Sequence, residues 1–144
     1  MAKYVQPFED TQEIFNRAID VTGLQNYITI TLLSNNKSKK LFDVIKANEL
    51  VKFRSGDDVF IILNENIFEK LTDQQKAIVA EQALAYVSFD SENDKLVITK
   101  PDFLEHTGVL AKYGFDIINV LKESVKTLYQ AEEQEEEENV QTTN

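Results

Sequence analysis

The side chains of this chain that could do chemistry are few and widely spread. The single histidine, His106, lies among apolar residues in the stretch FLEHTGVL. A metal site built on imidazole generally uses two or three histidines, and there is no cysteine whose thiolate could substitute. The same lack of cysteine excludes disulfides and cysteine nucleophiles, and it is compatible with a reducing compartment. Serine–histidine–acid catalysis would depend on His106, and no G-x-S-x-G elbow accompanies it. We read His106 as a packing or surface residue. The four glycines are isolated, so no phosphate-cradling loop is present. Carboxylates are plentiful. Asp90, Glu92 and Asp94 alternate in DSEND, but the glycine and the distant glutamate of a calcium loop do not follow, and a solvated turn is the better reading. Glu81, Asp102 and Glu105 are the carboxylates that could converge beside a helix and hold an ion through oxygen alone.

The stretch expected to position such groups is Leu71–Asp90, LTDQQKAIVAEQALAYVSFD, which reads as one helix. Thr72 and Gln75 have the spacing of a capping box. Ile78, Val79, Ala80, Ala83, Leu84 and Val87 form a broad apolar stripe that must be buried against something. Upstream, Phe8–Thr22 has helical apolar spacing and is followed by Gly23, a helix-stopping residue. Tyr27–Leu33 alternates as a strand, and VFIIL at Val59–Leu63 reads as a buried or half-buried strand. Within Leu41–Phe53 we expect a strand such as Phe42–Lys46, a turn around Ala47–Glu49, and a second short strand through Val51 and Phe53; the alternative is a helix, since Leu41, Val44, Ile45 and Leu50 lie near helical spacing. Lys95–Thr99 is a short extended piece. A helix is expected from Pro101 to about Lys112, where proline suits the first turn, and Phe115–Gln130 makes a last amphipathic helix. Strands grouped between helices favour an α+β domain, with a small, mostly antiparallel sheet of three to four strands.

The chain has 144 residues and a net charge of −10. That length suits a single domain, expected over residues 1–130. The run Glu132–Glu138 holds six acidic residues and no basic one, so residues 131–144 are expected to form an acidic, disordered tail. Direct nucleic-acid binding is disfavoured, because phosphate contacts need lysine or arginine. No run is apolar enough for a membrane span, and the N-terminal MAKYVQPFED lacks a signal-peptide core, so a cytoplasmic location is expected.

Three segments together carry a family resemblance: Val79-Ala80-Glu81-Gln82-Ala83-Leu84-Ala85, then Pro101-Asp102-Phe103-Leu104-Glu105-His106, then Lys112-Tyr113-Gly114. They resemble the phage metallopeptidase family, small zincin-like proteins whose segments read roughly V-D-H-E-L-x-H, H-D-V-E-E-F and R-Y-G. Asp102, Glu105, Tyr113 and Gly114 keep the family's residue types. The resemblance implies a zincin-like domain with an N-terminal helix, a small sheet, a zinc-helix equivalent and C-terminal helices. It also implies a degenerate site. Glu81 and Ala85 match the two metal histidines of H-E-x-x-H, Gln82 the catalytic glutamate, and Pro101 the candidate third ligand. Neither alanine nor proline has a side-chain donor, and an amide cannot take a proton from water at neutral pH. The comparison thus implies no bound metal, no cofactor and no hydrolysis.

Function is then expected to rest on binding a host or phage protein, in the bacterial cytoplasm if the chain is phage-encoded. Val59, Ile61, Leu63, Gln82, Asp102 and Glu105 are the candidate contacts, along a groove between an edge strand and the helix. The alternative is an acidic inhibitor or decoy that engages a basic partner through its surface and tail.

Overall fold

The computed structural model describes residues 3–101 and 105–142, with side chains to residue 136. Helix α1 spans Glu9–Thr22. It begins without a side-chain cap; instead the Phe8 N–H donates to Glu65 Oε2 at 2.9 Å, tying the helix start to a distant part of the chain. Gly23 ends the helix in the left-handed region, φ 73°, with its N–H donating to the Ile19 and Asp20 carbonyls. A 3-10 turn, Leu24–Asn26, leads to strand β1, Ile30–Ser34. Strand β2 is Phe42–Lys46, helix α2 is Glu49–Ser55, and strand β3 is Val59–Leu63.

The three strands form a mixed sheet in the order β1-β3-β2, in which β3 pairs parallel with β1 and antiparallel with β2. The connection through β2 and α2 therefore returns β3 to the middle, and an all-apolar strand belongs there because both its faces are covered. Val59, Ile61 and Leu63 are 0% exposed. This corrects their expected role: a central, fully buried strand has no free edge to offer a partner. The edge beside the helices is β2. Val51 and Phe53 also differ from expectation, since they lie in α2 and not in a strand. The Asn48 side chain caps that helix by accepting from the Val51 N–H at 2.8 Å, and Gly56 closes it at φ 80°.

A short helix α3, Glu65–Phe68, precedes helix α4, Asp73–Leu84. The capping box is present: the Gln75 N–H donates to Thr72 Oγ1 at 3.2 Å and the Thr72 N–H to Gln75 Oε1 at 3.1 Å. The helix is shorter than expected and stops at Leu84. Val87–Asp90 instead forms strand β4, paired antiparallel with β5, Lys95–Ile98. The reason is packing. Val87 is drawn into a second apolar cluster with Leu24, Ile28 and Val59, and Phe89 stacks on Tyr27 with centroids 5.1 Å apart. The tight turn Asp90–Asp94 closes the hairpin, with the Glu92 and Asn93 N–H groups and Asn93 Nδ2 donating to Asp90. The Asn93 side chain and backbone hold the Asp90 carboxyl below its ordinary range.

Helix α5 is Thr107–Tyr113, not a helix from Pro101; Pro101 lies in the connection before it. Gly114 separates α5 from α6, Phe115–Thr142, which continues as helix through the acidic run where a disordered tail was expected. Alanine, glutamate and glutamine are all good helix formers, so the continuation costs little once the helix is started. The main core is built from Phe15 of α1, Leu32, Ile61 and Leu63 of the sheet, Phe68, and Ile78, Val79 and Leu84 of α4, closed by Ile118 and Leu121 of α6. Six α-helices and five strands among the described residues make this an α+β protein.

Tyr129 anchors α6 to the loop between β1 and β2 by donating to the Ser38 carbonyl at 3.2 Å. Burial pushes its phenol up to about 12. A raised folded-state value means that the neutral phenol supports the fold below the ordinary tyrosine range, and that this support is lost as pH rises through about 12. Absorbance titration of the phenolate should show one tyrosine ionising last, and Tyr129→Phe should remove that late step.

Candidate functional site

The zinc-helix comparison centres on Glu81, Gln82 and Ala85 in the last turn and cap of α4. Adjacent residues on a helix point about 100° apart, and Glu81 and Gln82 accordingly open onto different depressions. Glu81 faces the groove between α1 and α4, and its Oε1 accepts from Lys112 Nζ at 2.5 Å. Lys112 comes from α5, at the position matching the arginine of R-Y-G. Its hydrogen bond to Glu81 is the main cause holding the ammonium pKa above the usual lysine range. Burial first, and then the Glu81 carboxylate, push up the neighbouring Tyr113 phenol.

Gln82 is 8% exposed and faces the other way. Its Nε2 donates to Glu105 Oε2 at 2.5 Å, and Glu105 is equally buried. The second oxygen of Glu105 accepts the His106 backbone N–H at 3.0 Å. A buried carboxylate is costly unless its oxygens find donors, and this arrangement supplies one to each. The His106 ring packs edge-on against Tyr86, with centroids 4.5 Å apart, and its Nε2 sits 2.9 Å from the Thr99 carbonyl. A carbonyl only accepts, so Nε2 carries the hydrogen in that contact. His106 is thus a packed residue that tethers the start of α5 to the end of β5.

Above the Gln82–Glu105 pair lies a cleft of about 250 Å³. Leu41 and Phe42 at the start of β2, Tyr86, and Leu121 and Val125 of α6 form its walls, with Lys122 also lining it. Phe42 meets Tyr86 edge to face at 5.8 Å. Sequence reasoning missed these wall residues. Tyr86 alone carried a signal, being one helical turn on from Gln82; the others come together only through the sheet order and the path of α6.

These side chains do not fit a zinc ion. Ala85 and Pro101 have no donor, Glu81 is committed to Lys112, and Gln82 is committed to Glu105. Among the described residues no three histidine, cysteine or carboxylate side chains converge as a metal site. The expected trio of Glu81, Asp102 and Glu105 is not assembled by its described members, since Glu81 and Glu105 open onto separate depressions. Asp102 lies outside the described residues.

The family described as Putative phage metallopeptidase matches residues 3–131. The chain belongs to this family. No curated protein matches it, and no solved structure does. For this member of the phage metallopeptidase family, the match spans α1 to the middle of α6 and includes every residue of the cleft. No helix among the described residues is long and apolar enough to cross a membrane.

The Gln82–Glu105 contact is directly testable. Gln82→Glu places two carboxylates within hydrogen-bonding distance in a buried site, where both cannot ionise together. Denaturant unfolding should show the variant losing about 2 kcal/mol more, relative to wild type, at pH 8 than at pH 5.

Proposed function

We propose that this chain is a catalytically silent, zincin-like member of the phage metallopeptidase family, kept for binding a protein partner. The observation that carries the reading is the buried hydrogen bond from Gln82 to Glu105, with Ala85 one turn from Glu81. Where the family motif would have a general base and two metal ligands, these groups satisfy one another or have no donor. An amide in place of the catalytic carboxylate removes proton transfer to and from water.

The binding place we favour is the cleft over Gln82, together with the outer edge of β2. Among the described residues β2 pairs with β3 alone, so an extended segment can add to its other side near Phe42. An apolar side chain of that segment would then enter between Phe42, Tyr86 and Leu121. A phage protein of this kind would meet its partner in the host cytoplasm.

Metal analysis tests the silent half of this reading. Purified protein should hold far less than one zinc per chain, and stoichiometric, tightly held zinc would overturn it. The scaffold half is tested by restoring the motif with Glu81→His, Gln82→Glu, Ala85→His and Pro101→His together. A zincin-like frame should then bind zinc, and a folded variant that binds none would count against that frame.

A second reading has an observation of its own. Because α6 continues as helix, Glu132, Glu133, Glu135 and Glu136 extend from the body on a regular element, a form suited to a basic partner surface. Removing residues 132–144 should abolish partner binding if the tail carries it, and low salt should strengthen binding to the full chain. If binding survives the deletion and is insensitive to salt, the tail reading fails.

A further inference from the structure

Helices α1 and α4 pack against each other and leave a long groove on the outer surface, on the side of α4 away from the cleft. On α1 it is bounded by Asp10, Glu13, Ile14, Arg17, Ala18 and Val21, which follow the spacing of a single helix face. On α4 the bounding residues are Asp73, Lys76, Ala77 and Glu81. The depression measures about 570 Å³ and shares Asp10, Ile14 and Lys76 with a neighbouring one of about 370 Å³ that reaches Phe8 and Glu69.

Two properties of the groove point to its occupant. The first is the floor, formed by Ile14, Ala18 and Ala77, where the two alanines let another backbone come close. Large apolar residues stand exposed at both ends, Phe8 at 62% and Val21 at 87%. The interval between them, at 1.5 Å per helical residue, is about 20 Å, or three to four helical turns. The second is the rim. Glu9, Asp10, Glu69 and Asp73 have no ion pair among the described residues, and the carboxylates of the lining outnumber its two cations, Arg17 and Lys76. Arg17 lies 3.8 Å from Glu13, and Lys76 lies over the Phe68 ring at 5.8 Å.

We propose that the α1/α4 groove is a docking site for a basic amphipathic helix of a partner protein. An apolar floor takes the apolar face of such a helix, and the acidic rim takes lysines or arginines on its flanks. Charge decides against the other occupants. The Glu-rich end of α6 would be repelled by this rim, and a second copy would set the same carboxylates against each other. The site is separate from the cleft over Gln82, so it stands or falls independently of the proposal made for that cleft.

The test uses the full-length chain and a synthetic helical peptide of about 14 residues, matched to the groove by length, with leucines on one face and lysines on the other. A scrambled peptide of the same composition serves as control. Amide shifts in the labelled protein should cluster at Ile14, Ala18 and Ala77. Asp10→Lys with Asp73→Lys should weaken binding at least about tenfold, consistent with a loss of about 1.4 kcal/mol. Glu133→Lys with Glu136→Lys, an equal charge change on the tail, should leave affinity within about twofold, which is well under that tenfold loss. The proposal is overturned if the scrambled peptide binds as tightly, if the tail variant loses as much as the groove variant, or if shifts map to α6 or the cleft. Absence of binding overturns it too, as does self-association of the chain that Val21→Glu abolishes.

Discussion

Helix α4 is enclosed on most of its circumference, and much of the fold follows from that enclosure. Ile78, Val79, Ala80, Ala83 and Leu84 are all buried, so the helix needs apolar partners on several sides at once. The sheet, α1 and α6 supply them. A helix this deeply packed cannot rotate or slide without opening cavities, because interiors are close-packed. Its few side chains that reach other surroundings are therefore held rigidly. Glu81 is directed to the α1 side and Gln82 to the cleft, and neither can exchange with the other. The hydrogen-bonded cap at Thr72 and Gln75 sets where this helix begins, and hence which residues meet which surroundings.

A rigid helix makes its polar residues consequential. Gln82 lies in a mostly apolar setting, and a buried amide or carboxylate without partners would cost stability. The pairing with Glu105 meets that requirement for both. Lys112 pairs with one oxygen of Glu81, Oε1, while Oε2 is buried without a hydrogen-bond partner among the described residues. In each case a side chain from the segment after β5 reaches back to α4. The link between the helix and the C-terminal half is thus polar in part, alongside the apolar contacts of Val109, Ile118 and Leu121.

The parts of this architecture that could be read from residues are those set by local rules. Gly23 and the capping box mark helix ends by backbone chemistry, and Val59–Leu63 has the composition of a strand buried on both faces. The misread parts depended on distant partners. Val51 and Phe53 looked like strand residues by composition, yet Asn48 and Gly56 cap a helix there, and Leu50 and Phe53 remain exposed. Tyr86–Asp90 continued the helical pattern, but Lys95–Ile98 captured Val87–Asp90 as a hairpin. Val59, Ile61 and Leu63 were placed at an edge because strand order is not written in any single strand. At the site, motif comparison found Glu81, Gln82, Ala85 and Glu105. Their pairing, and the walls contributed by Leu41, Phe42 and Leu121, depend on the tertiary arrangement. Pro101 has no donor in any conformation, so its chemistry was clear before its position was.

The far end of α6 behaves differently from the rest of the chain. Beyond Tyr129, which is fastened to Ser38, the helix runs on for about a dozen residues, a length at which an isolated helix in water is marginal. Starting a helix is the unfavourable step and extending one is easy. The body of the protein has already carried out the first step at Ile118 and Leu121, so the acidic segment inherits its order from a nucleus it does not itself contain. Its helicity is therefore conditional: a residue that interrupts the backbone ladder just after Tyr129 would release the whole extension together, while leaving the core beneath it in place.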